Sequence, residues 1–552
     1  MKYQWAGLAV AIAAAGLSGC SDDTRPVEDR NSEPTRKLTV NQVGRYQVQP
    51  AAGESFLDDV FDEGAAEIVT YDATTQRLYV VNSNAKTVDV LAIDSSGSLM
   101  RMGQIDATAE GDSANSVAVH EGTVAVAIEA DDAQAPGKVV FYSGTGLEKL
   151  GEATVGALPD MVTFTPDGTR VLVANEGEPN DDYDNDPEGS ISVIDVSAGF
   201  NAPMVNTLGF SDFNDRADEL RAAGVRIFGP NATAAQDFEP EYIAVAPDGQ
   251  RAYASLQENN AIAVIDLQAM EITDVLPLGY KDHSVAGQGI DPSNEDGLNI
   301  RTVPVLGMYQ PDTIAAFSED GTTYLLTANE GDARDYDGFS EEVDVKDLSL
   351  DPSAFPNAAM LQEDAQLGDL KVTNTLGRTG QTNAEGEPTY DTLYAYGARS
   401  FSIRRADTAE LVYDSGDDFE RITGERYGDA FNNDNSENDG DSRSDNKGPE
   451  PEAIAYGVID GRRYAFIGLE RMGGFLVYDI TDVNAPVYVS YTNSRDVSAD
   501  METENGALAA GDLGPESIVF IPADKSPVPG VALLAVGNEV SGSTTLYRLD
   551  LE

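Results

Sequence analysis

Short apolar strands recur along the chain, and each recurrence shows the same order of polar and apolar positions. An acidic residue, often after proline, opens one apolar strand, a turn follows, and a second strand ends at glutamate. In the clearest copy, Pro159-Asp160 opens the first strand, Asp167-Gly168 forms the turn, and Glu176 follows the second strand. Short alternating strands joined by Asp-Gly turns predict antiparallel hairpins.

Seven copies of this unit can be counted between residues 67 and 549. Repeats of about 40 residues built from short antiparallel strands are typical of β-propeller blades. The sequence therefore predicts an all-β fold, a seven-bladed β-propeller over residues 38–552. A two-domain arrangement is the alternative, but no linker-like stretch separates the repeats.

Long insertions interrupt the repeats, and in a propeller such segments decorate one face or the rim. Apolar residues at helical spacing predict a short helix over residues 213–224. In the fifth unit, the predicted outer strand is Ser400–Ile403. The insertions are predicted near residues 197–238, 268–310, 340–398 and 417–450.

The N-terminal segment has the pattern of an export signal. Lys2 precedes an apolar run over residues 6–17 that is too short to span a bilayer, which is typical of a signal peptide over residues 1–20. Leu17-Ser18-Gly19-Cys20 resembles the lipobox of bacterial lipoproteins, which implies lipidation of Cys20 and, with Ser21 next, the outer membrane of a Gram-negative bacterium. An ordinary signal peptide is the alternative. The polar residues 21–37 predict a disordered tether.

The charge balance of the chain excludes some classes of binding partner. The chain has 96 acidic and 35 basic residues, for a formal net charge of -61. This excess argues against nucleic-acid binding and against electrostatic docking on anionic lipid, so a membrane would be reached only through the lipid anchor. It favours multivalent cations, and a salt-adapted acidic surface is the alternative.

Cysteine and histidine are too scarce for most transition-metal chemistry. Cys20 is the only cysteine, and His120 and His283 are the only histidines. A thiolate site or a zinc site of several histidines is therefore excluded from the mature chain. Any metal would be held by oxygen, which predicts calcium, or magnesium, as the cofactor.

The repeat also places carboxylates at equivalent points of every unit. Because the first strand of a blade runs along the channel and the second runs back, the opening acid and the closing glutamate should meet at one channel mouth. Crowded carboxylates cannot all stay ionised unless cations or donors offset them, so we expect calcium there. The alternative is that each acid caps backbone N–H groups. The candidate ligands are Glu67, Asp160, Glu176, Glu241, Glu258, Asp312, Glu330, Glu452, Glu470, Glu516 and Glu539.

An acidic insertion follows Glu176 directly. The alternation of Asp182, Asp184 and Asp186 resembles the start of a calcium loop and adds three candidate ligands. Pro187 stands where an EF-hand needs glycine and Val193 where it needs glutamate, so an EF-hand is unsupported. Two interpretations of this segment remain, a looser calcium loop and a solvated acidic loop.

No catalytic residue can be assigned from the sequence. Lys281-Asp282-His283-Ser284 places an acid, a base and a hydroxyl side by side, but neighbours in sequence rarely form a triad because its members converge in space. Other basic residues could bind phosphate or offset the charge of the acidic motifs: Arg399, Arg443, Lys447 and Arg471.

Several long motifs together resemble one family. They include Asn175-Glu176-Gly177-Glu178-Pro179, Gly307-Met308-Tyr309-Gln310-Pro311-Asp312, Ala328-Asn329-Glu330-Gly331-Asp332 and Gly448-Pro449-Glu450-Pro451-Glu452. Over roughly residues 40–552 the chain resembles the choice-of-anchor I family of bacterial surface proteins. It is also similar to mesenchyme-specific cell surface glycoproteins of echinoderm biomineralising cells.

The resemblance implies a β-propeller ectodomain outside the cell and, through the echinoderm relatives, calcium handling. The first interpretation is a lipid-anchored, monomeric surface module that binds calcium and a phosphate ester, glycan or protein ligand. Some relatives are labelled alkaline phosphatase-like, which implies the alternative of a calcium-dependent phosphatase at the same mouth.

Overall fold

The computed structural model describes residues 37–552. The predicted signal peptide, the predicted lipidation site Cys20 and residues 21–36 of the predicted tether lie outside the described residues. Among residues 37–552, no helix combines the length and the apolar character needed to cross a bilayer.

The described chain contains seven four-stranded antiparallel sheets, and we call them blades 1 to 7. Strands are numbered in chain order, and β1 (Leu38–Gln47) belongs to the last blade. Blade 1 contains β2 (Val69–Asp72), β3 (Arg77–Asn82), β4 (Thr87–Ile93) and β5 (Leu99–Asp106); blade 2 contains β6 (Ala114–His120), β7 (Thr123–Ile128), β8 (Pro136–Ser143) and β9 (Lys149–Ala157); blade 3 contains β10 (Pro159–Phe164), β11 (Arg170–Asn175), β12 (Ser190–Asp195) and β13 (Met204–Gly209).

The remaining blades follow the same strand order. Blade 4 contains β14 (Pro240–Val245), β15 (Arg251–Leu256), β16 (Ala261–Asp266) and β17 (Glu271–Pro277); blade 5 contains β20 (Ile314–Glu319), β21 (Thr322–Asn329), β30 (Ser400–Arg405) and β31 (Leu411–Asp414); blade 6 contains β32 (Pro451–Ile459), β33 (Arg462–Leu469), β34 (Phe475–Asp479) and β35 (Val487–Thr492); blade 7 contains β36 (Pro515–Ile521), β37 (Ala532–Asn538), β38 (Ser543–Leu551) and β1.

The blades form a closed ring. The first strand of each blade contacts the first strand of the next, and β36 of blade 7 contacts β2 of blade 1. The first and last strands close the ring, because β1 pairs antiparallel with β38 and Leu38 lies opposite Leu551. This topology is that of a β-propeller, which confirms the predicted fold class.

The core lies between neighbouring blades. The middle strands are almost fully buried, and for example Val171 and Val173 of β11 pack with Val139 and Phe141 of β8. Both faces of these strands are covered, which is why their sequences read as continuous apolar runs.

The insertions contribute short strands, helices and a separate small core that includes Ile290, Val345 and Val372. The strands are β18 (Tyr280–Asp282), β19 (Leu306–Met308), β22 (Asp335–Tyr336), β23 (Phe339–Ser340), β24 (Glu342–Asp344), β25 (Ser349–Leu350), β26 (Lys371–Thr373), β27 (Arg378–Thr382), β28 (Pro388–Tyr390) and β29 (Tyr394–Ala395). The α-helices are α1 (Phe56–Asp59), α2 (Ala217–Ala223), α3 (Ala234–Asp237), α4 (Ala358–Leu361), α5 (Asp418–Tyr427) and α6 (Glu504–Ala509), with 3-10 helices at Ser211–Arg216, Val345–Asp347 and Gly428–Ala430 and a π-helix at Asp364–Gly368.

The outer strands are where the sequence interpretation differs from the structure. The stretches predicted as insertions near 197–238 and 268–310 contain β13 and β17, the fourth strands of blades 3 and 4. In blade 5, Ser400–Ile403 belongs to the third strand, and β31 is the outer one. Outer strands are largely exposed, so their apolar pattern is weak. The helix predicted over 213–224 corresponds to a 3-10 turn and α2.

Candidate metal centre

The opening acid of a unit lies beside an irregularity of its sheet. In blade 3, Pro159 pairs with Asn175 and the register then shifts, which places Asp160 in a β-bulge. The same shift follows Pro240 in blade 4 and Pro451 in blade 6. A bulge re-aims the side chain of its unpaired residue, and here it brings the acid to the channel.

In blades 3 and 6, the residue before the proline helps to fix the closing glutamate. Leu158 and Glu450 have left-handed φ values of 45° and 48°. The backbone N–H of Glu176 donates to the Leu158 carbonyl at 3.0 Å, and that of Glu470 donates to the Glu450 carbonyl at 2.8 Å. A left-handed non-glycine residue costs about 1–3 kcal/mol, so the surrounding structure has to hold it in place.

The predicted ligands come together in three groups of three carboxylates. In each group, one oxygen from every side chain lies within 4.8 Å of the others. The sequence predicted contact across each hairpin, and the structure adds contact between neighbouring blades. Group A is Asp160, Glu176 and Glu241; group B is Asp312, Glu452 and Glu516; group C is Glu330, Glu452 and Glu470.

The carboxylates of group A accept no hydrogen bond from residues 37–552. Among residues 37–552, no backbone or side-chain group donates a hydrogen bond to Asp160, Glu176 or Glu241, and none of the three forms a salt bridge. Glu176 is 7% exposed, so water reaches it poorly. Because these acids accept no backbone N–H, capping of strand ends does not explain them.

Group C is partly neutralised by cationic side chains. Lys447 Nζ lies 2.7 Å from Glu330 and 3.2 Å from Glu450, and Arg471 lies 3.2 Å from Glu470. Although burial opposes ionisation of Glu450, the charges of Lys447, Arg471 and Arg443 lower its pKa to about 2. Glu450 is therefore a fixed anion that holds the cations of the mouth.

The other mouth carboxyls have raised pKa values, chiefly because burial disfavours their charged forms. The pKa of Asp160 rises to about 7, with a further contribution from Asp312, and that of Glu330 rises to about 7 although Lys447 opposes the shift. In group B, one oxygen of Asp312 lies within 4.8 Å of one of Glu452, and burial raises the pKa of both carboxyl groups. The pKa lies well above its ordinary value for Glu176, Glu241, Glu452, Glu470 and Glu516.

A cavity of about 330 Å³ opens beside groups A and B. Asp160 from group A and Asp312 and Glu516 from group B line it, together with Glu67 and Tyr242. Apart from Glu67, the polar side chains that blades 1 and 2 place on the cavity wall are uncharged. They are Ser83, Ser113, Asn115 and Ser116.

Some predicted ligands lie outside the three groups. Glu67 accepts a hydrogen bond from Ser83 at 3.1 Å, and burial and Glu539 raise its pKa to about 8. Burial raises the pKa of Glu539 to about 7 and that of Glu258 to about 8. Glu258 is 5% exposed and its Oε2 has no hydrogen-bond partner among the described residues.

The acidic insertion after Glu176 does not join these groups. Asp182 and Asp184 are exposed, and Asp184 accepts a hydrogen bond from Asn180 at 2.9 Å. Asp186 is half-buried, and burial raises its pKa to about 6. The structure does not gather the three side chains around one point with the mouth carboxylates.

Sequence reasoning missed several charged residues near the mouth. Glu178 accepts a hydrogen bond from Tyr336 at 3.2 Å, and Glu239 pairs with the buried Arg334 at 2.8 Å. Glu178 stands two residues after the closing glutamate of its repeat, so its spacing was a usable signal. Arg334 comes from an insertion, and no repeat pattern predicts its position.

The adjacent acid, histidine and serine of β18 and its loop do not form a triad. The His283 ring bonds to the Gln288 carbonyl at 2.7 Å, and Ser284 donates to Asp282 at 2.6 Å. Burial lowers the pKa of His283 to about 3, so it is neutral. Of the four basic candidates, Lys447, Arg471 and Arg443 bind Glu450, and Arg399 pairs with Glu420.

Comparison with known proteins gives the family. The sequence profile of the choice-of-anchor I domain matches residues 67–483, from the opening acid of blade 1 to beyond β34 of blade 6. The chain belongs to the choice-of-anchor I domain family. This confirms the resemblance drawn from its motifs, several of which carry mouth carboxylates.

Two curated relatives match parts of this choice-of-anchor I protein. Gigasin-3a of Magallana gigas is 33% identical over 197 residues, which cover 34% of this chain and 66% of the relative. The mesenchyme-specific cell surface glycoprotein of Strongylocentrotus purpuratus is 26% identical over 340 residues, which cover 54% of this chain and 43% of the relative. The chain thus spans less than two thirds of either relative.

Two solved structures are distantly similar. The hydrazine synthase of Kuenenia stuttgartiensis has a TM-score of 0.47 and 12% identity, covering 91% of this chain and 100% of that chain. The Cps50 (Swd1) β-propeller domain of Myceliophteria thermophila has a TM-score of 0.42 and 9% identity, covering 91% and 99%.

Proposed function

We propose that this protein is a cell-surface β-propeller that binds calcium at its channel mouth. The observation that carries the proposal is group A, in which three carboxylates meet and no residue among 37–552 gives them a hydrogen bond or a cationic partner. Buried like charges at this separation repel strongly unless they take up protons or a cation. Oxygen-only ligands suit calcium, or magnesium, better than softer metals.

The cavity supports a role in ligand binding. Acids of groups A and B face the same space of about 330 Å³, so a cation there would keep an open side for a further ligand. An oxyanion or a pair of hydroxyl groups could complete its coordination, since calcium takes six to eight oxygens. The ligand class proposed is therefore a phosphate ester, a glycan or an acidic protein segment, bound by a monomer.

Isothermal titration calorimetry of chelator-treated protein tests the cation site. We expect calcium binding in the micromolar to millimolar range, weakened at least about tenfold by Glu241→Gln, which removes one full ligand charge. The matched control is Asp167→Asn, which removes a carboxylate at the other end of blade 3. The absence of calcium binding by the unaltered protein at millimolar concentration would exclude the proposal.

The surface location rests on the family and on the curated relative that is named a cell surface glycoprotein. We further propose that a lipid on Cys20 anchors the chain in the outer membrane. Replacing Cys20 by alanine should move the protein from the membrane fraction to the soluble fraction. An unchanged distribution of the variant would exclude the lipid anchor and leave the calcium site untouched.

A calcium-dependent phosphatase at the same mouth is the second candidate. Lys447 and Arg471 lie beside the carboxylates of group C, and cations next to metal-binding acids suit phosphate esters. Turnover of a chromogenic phosphate ester at alkaline pH should then require calcium and fall in Glu241→Gln and Glu452→Gln. Turnover at the level of the buffer alone would remove the enzymatic candidate.

A further inference from the structure

A second set of acidic and amide side chains lies in the insertions, away from the mouth groups. Asp291 and Asp296 come from the segment between β18 and β19, and Glu420 lies on α5. Asn432 and Asp441 come from the loop between α5 and β32. Asp291 and Asn432 are completely buried, and Asp441 is 7% exposed.

Glu420 holds two of these residues in place. Its Oε1 accepts from Arg399 at 2.5 Å and from the Asn432 amide at 2.9 Å, and its Oε2 accepts from the backbone N–H of Asp291 at 2.9 Å. Both oxygens of Glu420 are therefore already bonded. Its role in this cluster is to position Asn432 and Asp291.

The amide of Asn432 has a defined orientation. Its Nδ2 donates both to Glu420 and to Ser444 Oγ, each at 2.9 Å. Because a carboxylate accepts only, the nitrogen must face Glu420 and the oxygen must face the other way. That Oδ1 is buried and has no hydrogen-bond partner among the described residues.

Asp441 and Asp296 each present one unpartnered oxygen. Ser444 donates to Asp441 Oδ1 at 2.6 Å, while Asp441 Oδ2 is buried and accepts no hydrogen bond from the described residues. Asn299 donates to Asp296 Oδ2 at 2.6 Å, while Asp296 Oδ1 is buried and has no partner within residues 37–552. The hydroxyl of Ser442 is a further buried oxygen without a partner in the described part of the chain.

The charges of the cluster do not balance. Arg399 pairs with Glu420, and Arg301 pairs with Asp296 at 3.1 Å. Within residues 37–552, neither Asp291 nor Asp441 forms a salt bridge. Four carboxylates against two guanidinium groups leave an excess of two negative charges. Hydrogen bonds place these charges in one region, because Asn299 donates to both Asp291 and Asp296, and the Ser444 hydroxyl joins Asn432 to Asp441.

We infer that Asp296, Asn432 and Asp441 form a second calcium site, with Asp291 supplying further negative charge. One calcium ion would satisfy the four buried oxygens that have no partner among the described residues, together with the charge excess of two, since it binds carboxylate, amide and hydroxyl oxygens. The ion would join the segment before β19 to the loop before β32. That loop carries Lys447 and Glu450 to the mouth, so the site would hold the cations of group C in position.

Equilibrium dialysis with radioactive calcium tests this site by counting ions per chain. Asp441→Asn keeps the shape of the side chain and should lose one equivalent of bound calcium or weaken its binding at least about tenfold. Asp296→Asn should lose the same equivalent. Asp167→Asn is the control and should bind as many ions as the unaltered protein.

Variants at the two sites distinguish the second calcium site from the site at the channel mouth. Glu241→Gln should lose a different equivalent, so its combination with Asp441→Asn should lose both. In hydrogen exchange, calcium should slow exchange of residues 432–446 at least about tenfold in the unaltered protein and in Glu241→Gln, but not in Asp441→Asn. If folded Asp441→Asn and Asp296→Asn both bind as many ions as the unaltered protein, the second site does not exist.

Discussion

Asp160 and Asp167 stand at opposite ends of the first strand and turn of blade 3, and their surroundings differ completely. Asp167 accepts hydrogen bonds from the Thr165 hydroxyl at 2.7 Å, the Thr169 hydroxyl at 2.9 Å and the Thr169 backbone N–H at 3.1 Å. Asp160 accepts none from the described residues and lies instead against Glu176 and Glu241.

Their pKa values move in opposite directions. The Thr165 hydroxyl bond lowers the pKa of Asp167, whereas burial raises that of Asp160 to about 7. The turn aspartates Asp195 and Asp94 behave like Asp167, because hydroxyl groups of nearby serines lower their pKa. An acid with local donors stabilises a turn as an anion, whereas an acid crowded with other acids needs a proton or a cation.

The largest effect expected from this difference is a pH dependence of the metal-free protein. The pKa of Glu330 rises from 4.5 to about 7 and that of Glu67 from 4.5 to about 8 on folding. The folded state therefore binds more protons than the unfolded state between about pH 4 and pH 8, so stability falls as pH rises through this range. We expect the free energy of unfolding to drop by at least about 5 kcal/mol, since each pKa unit corresponds to about 1.4 kcal/mol and several groups contribute.

Calcium should remove most of this pH dependence, because it replaces the protons that are lost. Chemical denaturation in chelator and in millimolar calcium, across that pH range, measures both effects. Stability of the metal-free protein that stays level or rises over the same range would contradict the assignment of raised pKa values at the mouth.

The sequence predicted the carboxylates of the channel mouth but not the residues that surround them, and the reasons are physical. Repeats that share a backbone put the pair Asp160 and Glu176 and the pair Glu452 and Glu470 at equivalent points, so their spacing was sufficient to predict contact across these two hairpins. The strand β1 closes blade 7 by pairing with the far end of the chain, and no local pattern reveals such a partner. Likewise, Lys447 reaches group C only through the fold of an irregular insertion.

A second prediction compares the two kinds of group within the mouth. Lys447 lies 2.7 Å from Glu330 of group C, whereas no salt bridge reaches group A among residues 37–552. Although burial opposes its charge, Glu330 and Glu450 raise the pKa of Lys447 well above its ordinary value, so it is a permanent cation. Replacing Lys447 by methionine leaves buried carboxylates unpaired and should destabilise the metal-free protein by about 3 kcal/mol.

Calcium should restore most of the stability lost in Lys447→Met, because a cation at group C can take the place of the ammonium group. Thermal denaturation with and without calcium measures this rescue. Lys525→Met, a change at the edge of the propeller, is the control and should show no rescue. An equal loss of stability in chelator and in calcium would mean that group C does not accept the ion.

The smallest effect expected is a difference of sign between Glu176→Gln and Asp167→Asn. In chelator at about pH 8, Glu176→Gln replaces one of three crowded carboxyl groups by a permanently neutral amide whose N–H can donate to Asp160 or Glu241, so it should stabilise the protein by about 1 kcal/mol. Asp167→Asn replaces a charged acceptor by a neutral one and should destabilise it by about 1 kcal/mol. In calcium the difference in stability between the two variants should narrow. The mouth variant loses its gain because it has lost a ligand, whereas the turn variant keeps the same deficit.

Denaturant unfolding of both variants under both conditions is the measurement. Destabilisation by Glu176→Gln in chelator would show that the mouth carboxylates, like the turn aspartates, are held by donors rather than awaiting a cation.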